Sequence, residues 1–298
     1  MFHIETFVEP DFVLTENRRR LRIAWLFRLN TQNVFQAKQC IAYRFSLGTE
    51  LDNRLLVNPN LFAQEVVDMI FRQLFEPETS TYSYLLGCER TRRAVLIDPV
   101  ASEFDDYVEL LRALDLKLIY TLETHVHADH ITGSGLLRQT LGSKSVVHRD
   151  AGAMCADLLV TDGVQLQVGD LEFEVRHTPG HTSGCVSYVM ADRVFTGDAL
   201  LIGGSGRTDF QQGDAGQLYD SITGKLFSLA ADTLVYPGHD YQGNTVSTIK
   251  QEIAKNARLG GGKSRDEFIA IMSELKLAYP KFIDQALPAN QSCGLVAE

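Results

Sequence analysis

The chain predicts an α+β protein, an αββα sandwich in which two mixed sheets pack face to face beneath outer helices. Three observations predict it. Strand-like and helix-like segments interleave from residue 69 onward. Many of the strands alternate apolar and polar residues, whereas the strands of a doubly wound parallel sheet run continuously apolar. Several strands end in a histidine or aspartate beside a glycine. Two sheets sharing one core, with ligand-type side chains along one edge, account for all three.

Phe71-Arg72-Gln73-Leu74-Phe75 leads into Thr81 to Gly87, which alternates like a half-buried strand. Ala94 to Asp98 is a second strand, stopped by a turn at Pro99. Phe104 to Leu114 has the apolar spacing of an amphipathic helix. Leu118 to Leu122 is an apolar strand that runs into Thr124-His125-Val126-His127-Ala128-Asp129-His130. A Gly133-Ser134-Gly135 turn and a helical Leu136-Leu137-Arg138 follow. Ser145 to His148 is a short strand, and Leu171 to His177 alternates strictly before Thr178-Pro179-Gly180-His181. Cys185 to Met190, Arg193 to Asp198 and Thr233 to His239 complete the second set. Residues 1–68 carry an Arg18-Arg19-Arg20 cluster and the sole tryptophan, Trp25, but no motif. The chain therefore divides into an extension, 1–68, and a regularly patterned domain, 69–298.

At 298 residues the chain can bury a sizeable core. Its net charge of −10 argues against nucleic acid as a partner, because phosphate binding needs concentrated basic surface. The first 68 residues are balanced, 8 basic against 8 acidic, so the negative excess falls in the remainder. No apolar run approaches the roughly 20 residues that span a bilayer; Ile23 to Leu29 is short and broken by Arg28. Glu5, Glu9, Asp11 and Glu16 suit neither a secretory signal nor a transit peptide. The expected location is the cytoplasm, or the mitochondrial matrix in a eukaryote. The five cysteines, Cys40, Cys88, Cys155, Cys185 and Cys293, are odd in number and never form a C-x-x-C pair. Free thiols in a reducing compartment are expected, with Cys88, Cys155 and Cys185 in the core.

Three histidines and an aspartate lie within six consecutive residues, His125 to His130. A strand that ends in such a cluster points several ligands at one small volume. His181 after Pro179-Gly180, Asp198 after Thr196-Gly197, and His239 after Pro237-Gly238 repeat the style, with Asp240 next in line. A lone histidine at a strand end is ordinarily structural. The set together reads as a metal centre.

This ordered series, H-x-H-x-D-H, Gly-His, Thr-Gly-Asp and Pro-Gly-His-Asp, resembles that of the metallo-β-lactamase superfamily from about Met69 to Gly294. Within it the chain is most similar to the persulfide dioxygenases. The distinctive stretches are Thr124 to Leu137, Phe195 to Gln211, Tyr236 to Thr248, and Pro288-Ala289-Asn290 with Cys293-Gly294. The resemblance implies a metallo-β-lactamase fold holding one Fe(II) on His125, His181 and Asp198. It implies oxidation of glutathione persulfide by O2 to sulfite and glutathione. Two histidines and a carboxylate on one face of iron leave positions open for substrate and oxygen. His127, Asp129, His130, His239, Thr196 and Asp240 are expected to support that centre. Arg207, Tyr241 and Asn244 are expected to contact substrate, with Asp209 locking Arg207. True β-lactamases typically carry a cysteine at the position of Asp198.

Every ligand of a dinuclear centre is also present, so residue identity alone does not count the metals. A glyoxalase II-type hydroxyacylglutathione hydrolase is the alternative, although the chain lacks the long C-terminal helical extension expected of one. A non-catalytic sulfur-sensing module is a third reading. Persulfide dioxygenases generally begin near Met69, which makes Met69 the expected natural start. The sequence leaves both a monomer and a homodimer open.

Overall fold

The computed structural model describes residues 68–295. The expected N-terminal extension, 1–68, lies outside the described residues except for Asp68, and so does the stretch on which the expected start at Met69 bears. The first sheet orders its strands as β1 (Met69–Glu76), β2 (Thr81–Cys88), β3 (Arg93–Ile97), β4 (Lys117–Leu122), β5 (Lys144–His148) and β6 (Leu158–Val160). The second runs β12 (Ser247–Thr248), β11 (Leu234–Pro237), β10 (Arg193–Gly197), β9 (Val186–Val189), β8 (Leu171–His177) and β7 (Gln165–Val168). Both sheets are mixed: β3 to β6 pair in parallel, as do β10 and β11, and the other neighbours are antiparallel.

Three apolar layers make the sandwich. Between the sheets, Tyr84, Leu86, Val95, Ile97 and Leu122 from the first meet Phe173, Val175, Tyr188 and Phe195 from the second. Outside the first sheet, α1 (Phe104–Ala113) and α2 (Ser134–Leu141) cover Leu85, Leu96 and Leu118. Outside the second, α3 (Ala215–Ser221), α4 (Ile249–Lys255) and α5 (Arg265–Glu274) cover Val189, Val194 and Val235. A final helix, α6 (Ile283–Gln291), ends the described chain.

Two expectations are corrected. β2 is buried along its whole length and is not half-buried. Its inner residues enter the core between the sheets, while Leu85 packs under the helices and the Ser83 hydroxyl meets the Tyr107 hydroxyl of α1 at 2.9 Å. The cysteines are not all free. Cys155 is bonded to Cys293 across 138 residues of sequence, and Cys88 and Cys185 remain buried thiols. Spacing along the chain carries no trace of a pair that only the docking of α6 brings together.

Candidate metal centre

The topology delivers the ligand-type residues to one edge. Parallel strands end on the same side, so the residues following β3 and β4, and those following β10 and β11, emerge as neighbours. Asp98 follows β3, the His125–His130 run follows β4, Asp198 follows β10 and His239 follows β11. β9 pairs antiparallel with both β8 and β10, so the end of β8, and with it His181, faces the same way. Left-handed glycines make these turns possible. Gly197, at φ +49°, precedes Asp198, and a Cβ there would lie 2.3 Å from the Thr124 hydroxyl oxygen. A Cβ on Gly206 would lie 2.3 Å from the Asp198 carbonyl oxygen and 2.9 Å from His181 Nδ1.

Ligand atoms of His125, His181 and Asp198 lie within 4.8 Å of one another. Hydrogen bonding fixes how each histidine faces that point. The Thr124 hydroxyl donates to Asp98 Oδ2 at 2.7 Å, so at 3.0 Å from His125 Nδ1 it can only accept. His125 therefore carries its proton on Nδ1 and keeps the Nε2 lone pair free. His181 Nδ1 faces the Arg207 carbonyl oxygen at 2.6 Å, and a carbonyl only accepts, so its Nε2 is again the free ligand atom. His181 Nε2 lies 3.6 Å from Asp198 Oδ2. Burial, then the neighbouring His127 and His181, holds His125 well below the ordinary histidine range, in the neutral form that coordinates metals.

A second group lies beside the first: ligand atoms of His127, Asp129 and His130 also lie within 4.8 Å of one another. His130 Nδ1 donates to Asp129 Oδ2 at 2.9 Å, and His239 Nδ1 donates to the Ser80 carbonyl oxygen at 3.1 Å. His239 Nε2 then faces Asp129 Oδ2 at 3.4 Å and Asp198 Oδ1 at 3.6 Å. The two oxygens of Asp198 thus address different histidines. Burial would raise the Asp129 carboxyl, but His130 and His239 outweigh it and hold the group well below the usual carboxylate range. Burial would likewise lower His239, yet Asp198 and Asp129 raise it. Carboxylates that draw a proton onto a buried imidazole draw a metal cation equally well.

Among the described residues, His130 Nε2, His127 Nδ1 and Asp198 Oδ1 are buried with no hydrogen-bond partner. Orphaned buried polar atoms are rare in folded proteins, and orphans on members of both ligand groups fit a bound cation. The donor set, imidazole nitrogen with carboxylate oxygen, suits a transition metal.

Asp98, Glu123 and Asn290 also shape this centre, and the motifs did not single out their roles. Asp98 and Glu123, both buried, each stand 3.2 Å from His127 Nε2. Burial lowers the His127 imidazole, but Asp98 and then Glu123 outweigh it and lift it well above the ordinary range. Glu123 also accepts from the hydroxyls of Thr132, at 2.6 Å, and Ser134. Asn290 reaches in from α6 to bond the ligand loop at three backbone atoms. The Pro288-Ala289-Asn290 stretch marked the family but not what Asn290 holds, and an acid one residue before the motif carries little signal without the fold.

The remaining expected residues are placed as follows. The Thr196 hydroxyl donates to the Leu200 carbonyl at 2.6 Å and ties the turn that carries Asp198. Asp240 does not face the centre; its carboxylate accepts from the amides of Gln242 and Asn244, at 2.8 and 2.7 Å, and organises the following loop. The Asn244 side chain closes back on Asp240 at 3.2 Å, so it too belongs to that loop. Tyr241 is 74% exposed and stacks parallel to His239, with ring centroids 6.1 Å apart. The Arg207 guanidinium is already paired with Asp209 at 2.6 and 2.8 Å and donates to the Ala278 carbonyl at 2.8 Å. What Arg207 offers the centre is its backbone carbonyl. A pocket of about 280 Å3, bordered by Val126, Thr182, Phe210, Gln211 and Leu287, opens beside the ligand loops.

The metallo-beta-lactamase superfamily model matches residues 77–239. The chain is 51% identical over 230 residues to the mitochondrial persulfide dioxygenase ETHE1 of Homo sapiens, covering 76% of this chain and 89% of that protein. The crystal structure of ETHE1 from Myxococcus xanthus is 55% identical, with a TM-score of 0.74, and the match covers 76% of this chain and 100% of that one. A probable hydroxyacylglutathione hydrolase of Schizosaccharomyces pombe is more distant. It is 31% identical over 201 residues, covering 63% of this chain and 76% of that protein. Among the described residues no helix is long and apolar enough to cross a membrane.

Proposed function

Because this chain belongs to the persulfide dioxygenase family of the metallo-β-lactamase superfamily, we propose that it oxidises glutathione persulfide with O2 to sulfite and glutathione, using one Fe(II) per chain. The observation that carries the reading is the His125, His181 and Asp198 group, two imidazoles and one carboxylate whose free atoms converge. Bound there, ferrous iron would supply electrons for oxygen and open positions at which sulfur and O2 meet.

The chain's own residues prepare that meeting. The Arg207 carbonyl and the Asp98–Thr124 relay hold the two ligand imidazoles in one tautomer and one orientation. Such partners set ligand basicity as well as position. Val126, Phe210 and Leu287 give the adjoining pocket one apolar side, and Thr182, Ser183, Gln211 and Gln212 give it polar groups for the rest of the substrate. Tyr241, exposed and stacked beside His239, is proposed to meet the peptide part of the substrate. Arg207 acts by holding the loop that borders the pocket at Phe210 and Gln211, and Asn244 by closing the loop that follows His239.

A specific observation favours a second reading. Asp198 points one oxygen at His181 and the other at His239, as a carboxylate bridging two metals would. That arrangement suits the hydrolase alternative. The two separate by chemistry: purified protein given glutathione persulfide should yield sulfite and consume oxygen, and given S-lactoylglutathione should release no thiol. Hydrolysis of the thioester without oxygen uptake would reverse the assignment. Asp198→Ala should lose iron; full iron content and turnover in that variant would refute the ligand set.

A further inference from the structure

Helix α6 reaches back over the ligand loop and is fixed there by close backbone contacts. Asn290 Nδ2 donates to the carbonyls of His127 and His130, at 2.9 and 2.8 Å, and Oδ1 accepts from the Thr132 amide at 2.9 Å. Just beyond the helix, the Cys293 carbonyl accepts from the Gly135 amide at 2.9 Å. The approach is so tight that a Cβ on Gly294 would lie 2.0 Å from the Thr132 carbonyl oxygen, and one on Gly135 would lie 2.4 Å from that of Cys293. Cys293 itself adopts the left-handed region, φ +58°, which L-residues enter only when the surroundings hold them.

The covalent hold on this residue is its bond to Cys155. Cys155 belongs to the segment between β5 and β6, whose backbone is in turn pinned where Arg138 Nη1 donates to the Cys155 carbonyl at 2.8 Å. Cys293 forms part of the wall of a narrow cavity that also touches His125, His127 and Asn290. The disulfide therefore ties the end of α6 to the body of the domain directly behind the ligand loop. Its two residues differ in exposure: Cys293 is 4% exposed, whereas Cys155 is half-buried beside Met154, which is 76% exposed.

We propose that the Cys155–Cys293 disulfide is a thiol-sensitive latch that keeps Asn290 seated on the ligand loop, so that its reduction loosens the metal centre. The thiolate of a small thiol attacks the Cys155 sulfur, and the electron pair of the broken bond leaves on Cys293 as a thiolate. A second thiol attacks the mixed disulfide and releases Cys155 as a thiolate. The two protons lost by the incoming thiols end on the two cysteines, so two small thiols become one disulfide. The inference rests on metal binding by the loop and not on which reaction the metal serves.

The test uses the full chain loaded with ferrous iron and kept free of oxygen, with and without dithiothreitol. Alkylation after unfolding counts thiols, a ferrous chelator reads the rate of iron release, and hydrogen exchange follows the Thr132 and Gly135 amides. Reduction should expose two more thiols, speed iron release roughly tenfold, as loss of a ligand-supporting contact does, and speed exchange at both amides. Cys155→Ser should behave as reduced protein under either condition, and Cys88→Ser should respond as the parent does. Equal release and equal exchange before and after reduction would overturn the latch, as would a full complement of free thiols in unreduced protein. Should Cys293→Ser fail to fold, Cys155→Ser on the outer segment still decides the matter. If the chain holds no iron, exchange in the metal-free protein still reads the latch, so the two failures are distinguishable.

Discussion

Replacing Asn290 with alanine removes a clamp that touches no metal and no substrate. Asn290 is buried, and its side chain satisfies two carbonyls and one amide of the ligand loop. Truncation orphans all three. An unsatisfied buried group costs about 1–3 kcal/mol, and carbonyls tolerate the loss better than amides. The low end applies at each position, giving a loss of about 3 kcal/mol in all. With a urea slope of about 3 kcal/mol/M for a domain of this size, the midpoint should fall by about 1 M. Far-UV circular dichroism under urea reads the midpoint, and elemental analysis of the same sample should show reduced iron. Asn290→Asp keeps the acceptor for Thr132 but sets a carboxylate against two carbonyl oxygens, so it should fare no better. A midpoint shift below about 0.2 M with unaltered iron would refute the clamp.

Gly206→Ala should displace His181, because its Cβ would lie 2.9 Å from Nδ1 and 2.3 Å from the Asp198 carbonyl oxygen; retained metal at wild-type levels would contradict this. Arg207→Ala should lower metal retention along with turnover, since the loop it braces supplies the carbonyl that orients His181. A rise in KM alone, with iron intact, would instead place the guanidinium on the substrate. His148 is pulled down to about 4 by burial and then by His177, whose ring stacks on it at 3.9 Å. A depressed histidine contributes stability that is full above its unfolded pKa near 6.5 and is lost as pH falls toward the folded value. Unfolding free energy should therefore drop by about 1–2 kcal/mol between pH 6.5 and 4 after allowance for solvent screening. His148→Gln should flatten that limb of the profile, and an unchanged slope would discount the group.

The layered fold was legible because its strands announce themselves by period and by what ends them. The strict alternation of Leu171 to His177 matches β8, and the helical spacing from Phe104 to Leu114 matches α1 to within a residue. Glycine beside His181, Asp198 and His239 marked the turns that bring those residues to one edge. Less of the supporting cast could be read. β2 looks half-buried in sequence because Ser83 is polar, yet the Ser83 hydroxyl is satisfied internally by the Asp98 carbonyl at 2.6 Å. Asp98 and Asn290 gain their roles only through contacts between distant segments, which no local spacing encodes, whereas Glu123 meets His127 four residues on. The pairing of Arg207 with Asp209, two residues on, was legible and is present, whereas the bond from the Arg207 guanidinium to the Ala278 carbonyl joins segments 71 residues apart and left no local signal. The pairing of Cys155 with Cys293 was hidden for the same reason as the role of Asn290: both depend on where α6 docks.

Oxygen uptake with glutathione persulfide, recorded on protein whose iron and zinc have been counted, tests the central claim most directly. One iron per chain and one O2 consumed for each sulfite formed are expected. Two zinc ions per chain with no oxygen uptake would contradict it.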